Sequence, residues 1–172
     1  MNTDSSNIIV IVFGLPGSGK SYFAERLAKK IHATYINSDQ SRMEMYKKRT
    51  YSETEKKAVY HAMLDKMNDA ISQNKSVILD ATFHKESTRN IFTKKAPGKI
   101  LFMEVWADDA IIRERLKKER VLSEADYKIH QLISQQWEPI EEEHLLLEST
   151  NDNVDIMLTT ALKYLKNDKT GN

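Results

Sequence analysis

Cysteine is absent from the 172-residue chain. Its absence excludes a disulfide framework and any thiolate metal site. Histidine does not fill the gap, because His32, His61, His84, His130 and His144 never fall at ligand spacing on one helix turn, so no zinc centre is expected. An excess of one charge is also lacking: 26 Lys and Arg stand against 25 Asp and Glu, for a formal net charge of +1. That balance suits neither a basic nucleic-acid coat nor an acidic disordered tail, so an anionic partner has to be held locally. Long apolar runs are missing too. The strongest near the N-terminus, Ile8 to Phe13, is too short for a membrane span or a secretory signal. The expectation is a cytoplasmic protein with no membrane partner and no obligate protein partner in evidence. Glycine and proline are scarce, at 5 and 3, and no linker or repeat divides the chain, so residues 1–172 are expected to form one domain.

What is present has a regular order. Ile8 to Phe13 is a continuous β-branched and apolar run, the pattern of a strand buried on both faces in a parallel sheet. A helix is expected over about 20–32, with Phe23, Leu27 and Ile31 four apart. Tyr35-Ile36-Asn37 reads as a short second strand, and Ser52 opens a long helix whose apolar positions include Val59, Met63, Met67 and Ala70. Val77–Asp80 and Ile100–Trp106 read as strands on either side of a helix at about 86–96 that stops before Pro97-Gly98. Leu145-Leu146-Leu147 is a fifth strand candidate, and helices at about 108–120, 124–137 and 154–166 complete the pattern. Strands alternating with helices imply an α/β sandwich around a mostly parallel sheet, with the site at the carboxyl ends of the strands.

Three of the five glycines lie within residues 14–19, in Gly14-Leu15-Pro16-Gly17-Ser18-Gly19-Lys20-Ser21. This matches G-x-x-x-x-G-K-[ST] and sits between an apolar strand and an amphipathic helix, where a phosphate-binding loop must sit. Gly14, Pro16, Gly17, Ser18, Gly19, Lys20, Ser21 and Tyr22 are the expected nucleotide-binding residues. Backbone N–H groups and the helix N-terminus face the phosphates, Lys20 reaches the β and γ oxygens, and the Ser21 hydroxyl ligates Mg²⁺. ATP and Mg²⁺ are the cofactors this implies.

The residues after the other strands complete the site. Strand two runs into Asn37-Ser38-Asp39-Gln40-Ser41-Arg42, with Asp39 and Arg42 on one helical face. In phosphoryl transfer an Asp can deprotonate the acceptor hydroxyl while an Arg holds an anionic group of it. The same spacing also suits an N-cap Asp with an i,i+3 ion pair. Asp80 ends strand three, the usual position for a carboxylate that holds Mg²⁺ through water, though a cap on the next turn is an alternative. Thr82, His84 and Arg89 follow on the acceptor side, with Thr82 and Arg89 assigned to substrate. In the helix after strand four, Arg115 shares the apolar stripe of Ile111 and Ile112 and so points inward. Ser123 with Asp126 resembles a capping box that opens another helix. The two helices form a candidate lid over about 113–127, which would lower Arg115, and Arg120 or Lys118, onto the transferring phosphate. Trp106 and Trp137 are expected to pack rather than to stack a ligand.

Taken in order, GLPGSGKS, INSDQSR, VILDATF with Arg89 behind it, RERLKKER, SEADY and QQWEPIEEE resemble the small P-loop kinases over roughly residues 8–150. This group includes the bacteriophage-type 5′-hydroxyl polynucleotide kinases, chloramphenicol phosphotransferase and zeta-toxin-like kinases. The D-x-x-R after strand two is shared with the polynucleotide kinases and, more loosely, with adenylylsulfate kinases. The resemblance implies a three-layer fold with a five-stranded parallel sheet in the order 2-3-1-4-5. It also implies that Asp39 is the general base and that Arg42 grips a substrate phosphate. The group's R-L-x-x-R lid pattern is displaced here, with the second Arg one residue late at Arg120. The function expected is an ATP-dependent phosphotransferase acting on a hydroxyl, with the 5′ end of DNA or RNA as acceptor. A small metabolite, an antibiotic or a nucleotide sugar is the alternative acceptor, and a nucleotide-dependent switch is the alternative of another class. Asp39, Lys20 and Arg115 are the expected catalytic residues.

Overall fold

A computed structural model describes residues 7–118 and 123–170, without the side chains of 123–126, 169 and 170. The chain runs β1 (Ile9–Phe13), α1 (Lys20–Lys30), β2 (Thr34–Asn37), α2 (Ser38–Met45), α3 (Glu53–Ser72), β3 (Val77–Asp80) and α4 (Glu86–Lys95). It continues with β4 (Ile100–Trp106), α5 (Asp109–Lys118), α6 (Ser123–Gln135), β5 (His144–Glu148) and α7 (Val154–Thr170). The five strands form one sheet in the order β2-β3-β1-β4-β5, and every neighbouring pair is parallel.

Strand β1 is central and fully buried, so its alternate residues feed two cores. Ile9, Ile11 and Phe13 join Val59, Met63 and Met67 of α3 and Phe92 of α4. Val10 and Val12 join Phe23 and Leu27 of α1 and Met157, Ala161 and Leu165 of α7. Helices therefore cover both faces of the sheet, as the unbroken apolar reading of β1 requires.

Local chemistry sets the helix ends. The Ser52 hydroxyl accepts from the Glu55 N–H at 3.2 Å and starts α3, which stops at Gln73 and the left-handed Asn74. Helix α2 is capped by Asn37, whose side-chain oxygen accepts from the N–H groups of Asp39 and Gln40 at 2.9 and 3.0 Å. The cap is thus two residues earlier than an Asp39 cap would be, which releases the Asp39 carboxylate from that duty. Trp137 stacks on Phe13 at 5.9 Å and 13°, in the packing role expected of it. Among the described residues no helix is long and apolar enough to cross a membrane.

Candidate functional site

The register brings three strand ends side by side: Asn37 pairs with Asp80, and Asp80 with Val12. At about 4.8 Å between strands, the start of α2 and the loop after β1 lie roughly 10 Å apart across the carboxyl edge, with Asp80 between them.

The loop after β1 is built on close approach. A side chain at Gly14 would put its Cβ 2.2 Å from the Val105 carbonyl oxygen, so the backbone there can lie against β4 only as glycine. Gly19 caps α1 in the left-handed region, at φ 88°, and leaves Lys20 and Ser21 in its first turn. Ser18 is fully buried, and its hydroxyl has no hydrogen-bond partner among the described residues. Tyr22 points outward, 56% exposed, with Arg26 over its ring at 3.3 Å.

Asp80 is completely buried. Its Oδ2 accepts from the Tyr35 hydroxyl at 2.6 Å and from the Asn37 amide at 2.7 Å, while Oδ1 has no hydrogen-bond partner among the described residues. Burial, and then the nearby Asp80 carboxylate, push the Tyr35 phenol far above its ordinary value, so it remains a donor; its hydroxyl also interacts with the Ser21 side chain. A buried carboxylate with one open oxygen, next to the Ser21 hydroxyl, suits a hard divalent cation. Among the described residues no group of three or more His, Asp or Glu could hold a metal alone, so phosphate oxygens and water must complete any such coordination. Sequence patterns gave no sign of Tyr35 and Asn37 as partners of Asp80; their alignment with it is a property of the register.

Asp39 and Arg42 are brought together. Arg42 Nη1 donates to Asp39 Oδ1 at 3.2 Å, and the Asp39 side chain is 77% exposed while that of Arg42 is 8% exposed. Arg42 also forms an ion pair with the buried Glu55, Nε to Oε1 at 2.9 Å, and the Tyr51 ring lies 4.7 Å from its guanidinium carbon. The guanidinium is thus held between two carboxylates, unlike the free phosphate grip implied by the resemblance. Glu55 was not foreseen. Ser52-x-x-Glu55 has the form of a capping box, but the Glu55 carboxylate turns to the N–H and hydroxyl of Thr50, at 2.6 and 2.8 Å.

Thr82 is half-buried beside this pair, and its side chain interacts with the Tyr60 hydroxyl. His84 is half-buried as well, and burial, followed by Lys85 and Lys56, holds its pKa below the usual imidazole value. The assignment of Arg89 to substrate is corrected by the structure. Arg89 is 1% exposed and donates to the carbonyls of Phe83 and Pro139 at 2.9 and 3.0 Å, fastening the loop after β3 to the segment after α6. Its long stem fits the apolar interior, and its charge is spent on backbone oxygens.

Arg115 does point inward. It donates to the Gly17 carbonyl at 3.2 Å, the Ser149 hydroxyl at 3.1 Å and the Thr150 carbonyl at 2.8 Å, and so bridges the phosphate loop to the residues after β5. Ser149 and Thr150 went unassigned, although their position just after a strand marked them for inspection. Helix α5 lies on the loop: a Cβ at Gly17 would meet Ile112 at 2.9 Å and Leu116 at 3.2 Å. From α6, the buried His130 donates through Nδ1 to the Pro16 carbonyl at 2.9 Å, a contact no sequence pattern announced. Lys118 pairs with Glu114 on the exposed side of α5, and Arg120 and the side chains of the Ser123–Asp126 cap lie outside the described residues.

A family model described as an AAA domain, AAA_33, matches residues 9–139. A comparison with curated protein sequences finds no match. Among solved structures, an unliganded sugar kinase from Janibacter sp. HTCC2649 superposes with a TM-score of 0.74 at 17% identity, over 93% of this chain and 95% of its own. A gluconokinase from Sinorhizobium meliloti 1021 gives 0.69 at 17%, over 94% and 97%. The Mycobacterium tuberculosis APS kinase CysC, in complex with AMPPNP and APS, gives 0.76 at 16%, over 93% and 98%. The fold is that of these P-loop kinases.

Proposed function

Because the chain belongs to the AAA_33 family of AAA domains, we propose that it is an ATP-dependent phosphotransferase acting on a hydroxyl of a small-molecule acceptor, with one domain and a lid over about 113–127. The observation that carries this reading is the shared edge of β2, β3 and β1, where an exposed carboxylate, a buried one and a phosphate loop stand in neighbouring strands. Asp39 takes the proton of the acceptor hydroxyl. The acceptor oxygen attacks the γ-phosphorus of ATP, the bond from that phosphorus to the β–γ bridging oxygen breaks, and ADP leaves. Lys20 and the loop N–H groups hold the β- and γ-phosphates, and Arg115 sets the loop against β5. Ser21 directly, and Asp80 through water, would hold Mg²⁺, which offsets phosphate charge when bound. Arg42 fixes the Asp39 carboxylate, and its Nη2, which has no hydrogen-bond partner among the described residues, is the donor left for the acceptor.

The named acceptors of the similar structures, a sugar, gluconate and APS, support a small molecule over the polynucleotide 5′ end expected first. The compensated Arg42 supports the same choice, since a guanidinium held by two carboxylates offers little net attraction to a backbone phosphate. The test is transfer of labelled γ-phosphate from ATP to a panel of sugars, sugar acids and nucleosides, beside DNA and RNA 5′ ends. Transfer to a small hydroxyl compound is expected. ATP turnover that no acceptor accelerates would instead favour a nucleotide-dependent switch.

A further inference from the structure

Four residues other than glycine have positive φ among the described residues: His32, Tyr51, Asn74 and Phe83. His32 and Asn74 stand just past α1 and α3, where a left-handed residue commonly ends a helix. Tyr51, at φ 56°, ends no helix, and its ring lies against Arg42, the partner of Asp39. An aromatic residue stays in this unfavourable conformation only when its surroundings over-determine it. Glu55 supplies that determination. Its carboxylate holds the Thr50 N–H and hydroxyl, and the Tyr51 N–H as well, while its other oxygen meets Arg42. Thr50 and Ser52 are linked in addition through their hydroxyls, at 3.3 Å. The result is a stack in which the guanidinium covers one side of the Tyr51 ring while the residue stays 54% exposed.

A strained, half-exposed aromatic ring placed over a buried cation beside the candidate base does little for the core. Lys47, Lys48 and Arg49 lie just before it, all exposed and, among the described residues, without ion pairs. Their Cα atoms fall within about 15 Å of that of Tyr51, given at most ~3.6 Å of chain per residue. Arg42 is compensated by Asp39 and Glu55, whereas these three are open to an acceptor's anionic group.

We propose that Tyr51, held over Arg42 by Glu55, is the stacking wall of the acceptor subsite, and that the acceptor is a nucleoside phosphate whose base lies on Tyr51 and whose phosphate faces Lys47–Arg49. This rests on the kinase reading for its geometry, with the acceptor hydroxyl directed to Asp39. Base-on-aromatic stacking tolerates any base, so the class is fixed more firmly than the base.

The test reads binding without turnover. With Mg²⁺ and saturating AMPPNP filling the donor site, titration calorimetry compares adenosine 3′-monophosphate, adenosine, ribose 5-phosphate and gluconate. Adenosine 3′-monophosphate is expected to bind best. Tyr51→Ala should weaken it about 10–100-fold, and Tyr51→Phe should stay within about threefold. Replacing Lys47, Lys48 and Arg49 with Ala should weaken adenosine 3′-monophosphate and leave adenosine unchanged. Glu55→Gln should act in the same direction as Tyr51→Ala, with AMPPNP affinity intact. Equal binding of ribose 5-phosphate, preference for gluconate, or no effect of Tyr51→Ala overturns the proposal. Tyr51-dependent binding with no phosphate transfer to any acceptor would keep the subsite and retract the kinase reading. Transfer to ring-free polyols that is indifferent to Tyr51 would do the reverse.

Discussion

Replacing Asp80 with Asn should separate what the carboxylate does for the fold from what it does for the metal. Two donors, Tyr35 and Asn37, converge on Oδ2, and Oδ1 is buried without a partner among the described residues. In Asp80→Asn the amide oxygen can keep both donors by taking the Oδ2 position, which puts the amide NH₂ where Oδ1 was. Two charge-assisted bonds become neutral ones, a loss of about 1 kcal/mol each. Against this, the unpaired buried group changes from a charged carboxylate oxygen to a neutral NH₂, which costs less to bury, a relief of about 1–2 kcal/mol. The two nearly cancel, so stability should change by less than about 1.5 kcal/mol, or within roughly 5 °C in Tm for a chain of this size. The metal should respond very differently. An NH₂ in place of an open carboxylate oxygen can neither accept from metal-bound water nor offset the ion's charge, and outer-shell losses of this kind cost about 10–100-fold in metal affinity or activity. Phosphotransfer measured against Mg²⁺ concentration, paired with a melting curve with and without Mg²⁺ and AMPPNP, reads both quantities. The midpoint in Mg²⁺ should rise while the apo Tm holds. An unchanged Mg²⁺ midpoint would refute the metal role, and an apo Tm lower by 10 °C or more would show that the pair of bonds to Oδ2 is mainly structural.

Lys20→Ala should abolish transfer with the fold intact, checked by activity beside circular dichroism, and unchanged turnover would remove the phosphate-loop reading. Asp39→Asn should lower kcat by about 10²–10⁴ and leave ATP affinity alone; an effect confined to Tm would return Asp39 to a surface ion pair. Arg115→Ala should depress kcat with every acceptor and weaken nucleotide binding, because one side chain ties Gly17 to Ser149 and Thr150; normal kinetics with a lowered Tm would leave it a purely structural bridge. Burial raises the Glu55 pKa, but its bonds to Thr50 and Tyr51 and the Arg42 charge outweigh that and hold it below the usual value. A lowered folded value means that the organisation it provides is complete above the ordinary carboxylate range and is lost as pH falls through the folded value. Acceptor KM should therefore be flat from pH 7 to about 5 and rise below about 4, and a flat profile in Glu55→Gln is the control.

Periodicity and punctuation alone located the elements. The run Ile8–Phe13 had to be buried on both sides, four further strand segments lay near their observed bounds, and GLPGSGKS could sit only between β1 and α1. These are local properties, written in the order of side chains along one segment, and so they survive without the fold. The inward aim of Arg115 was legible for the same reason, from its place on one helical stripe. Contacts between segments far apart in sequence were not. Nothing in VILDATF says that Asp80 will receive Tyr35 and Asn37, because that follows from the register of β2 against β3. Arg89 looked like a free cation behind a strand, yet it closes on two carbonyls, one of them 50 residues away. Glu55 carried no signal of its own in the sequence, and only the packing of α2 on α3 set it against Arg42. A side chain's type fixes which partners it can take, but which partner arrives depends on backbone that the rest of the chain brings to it.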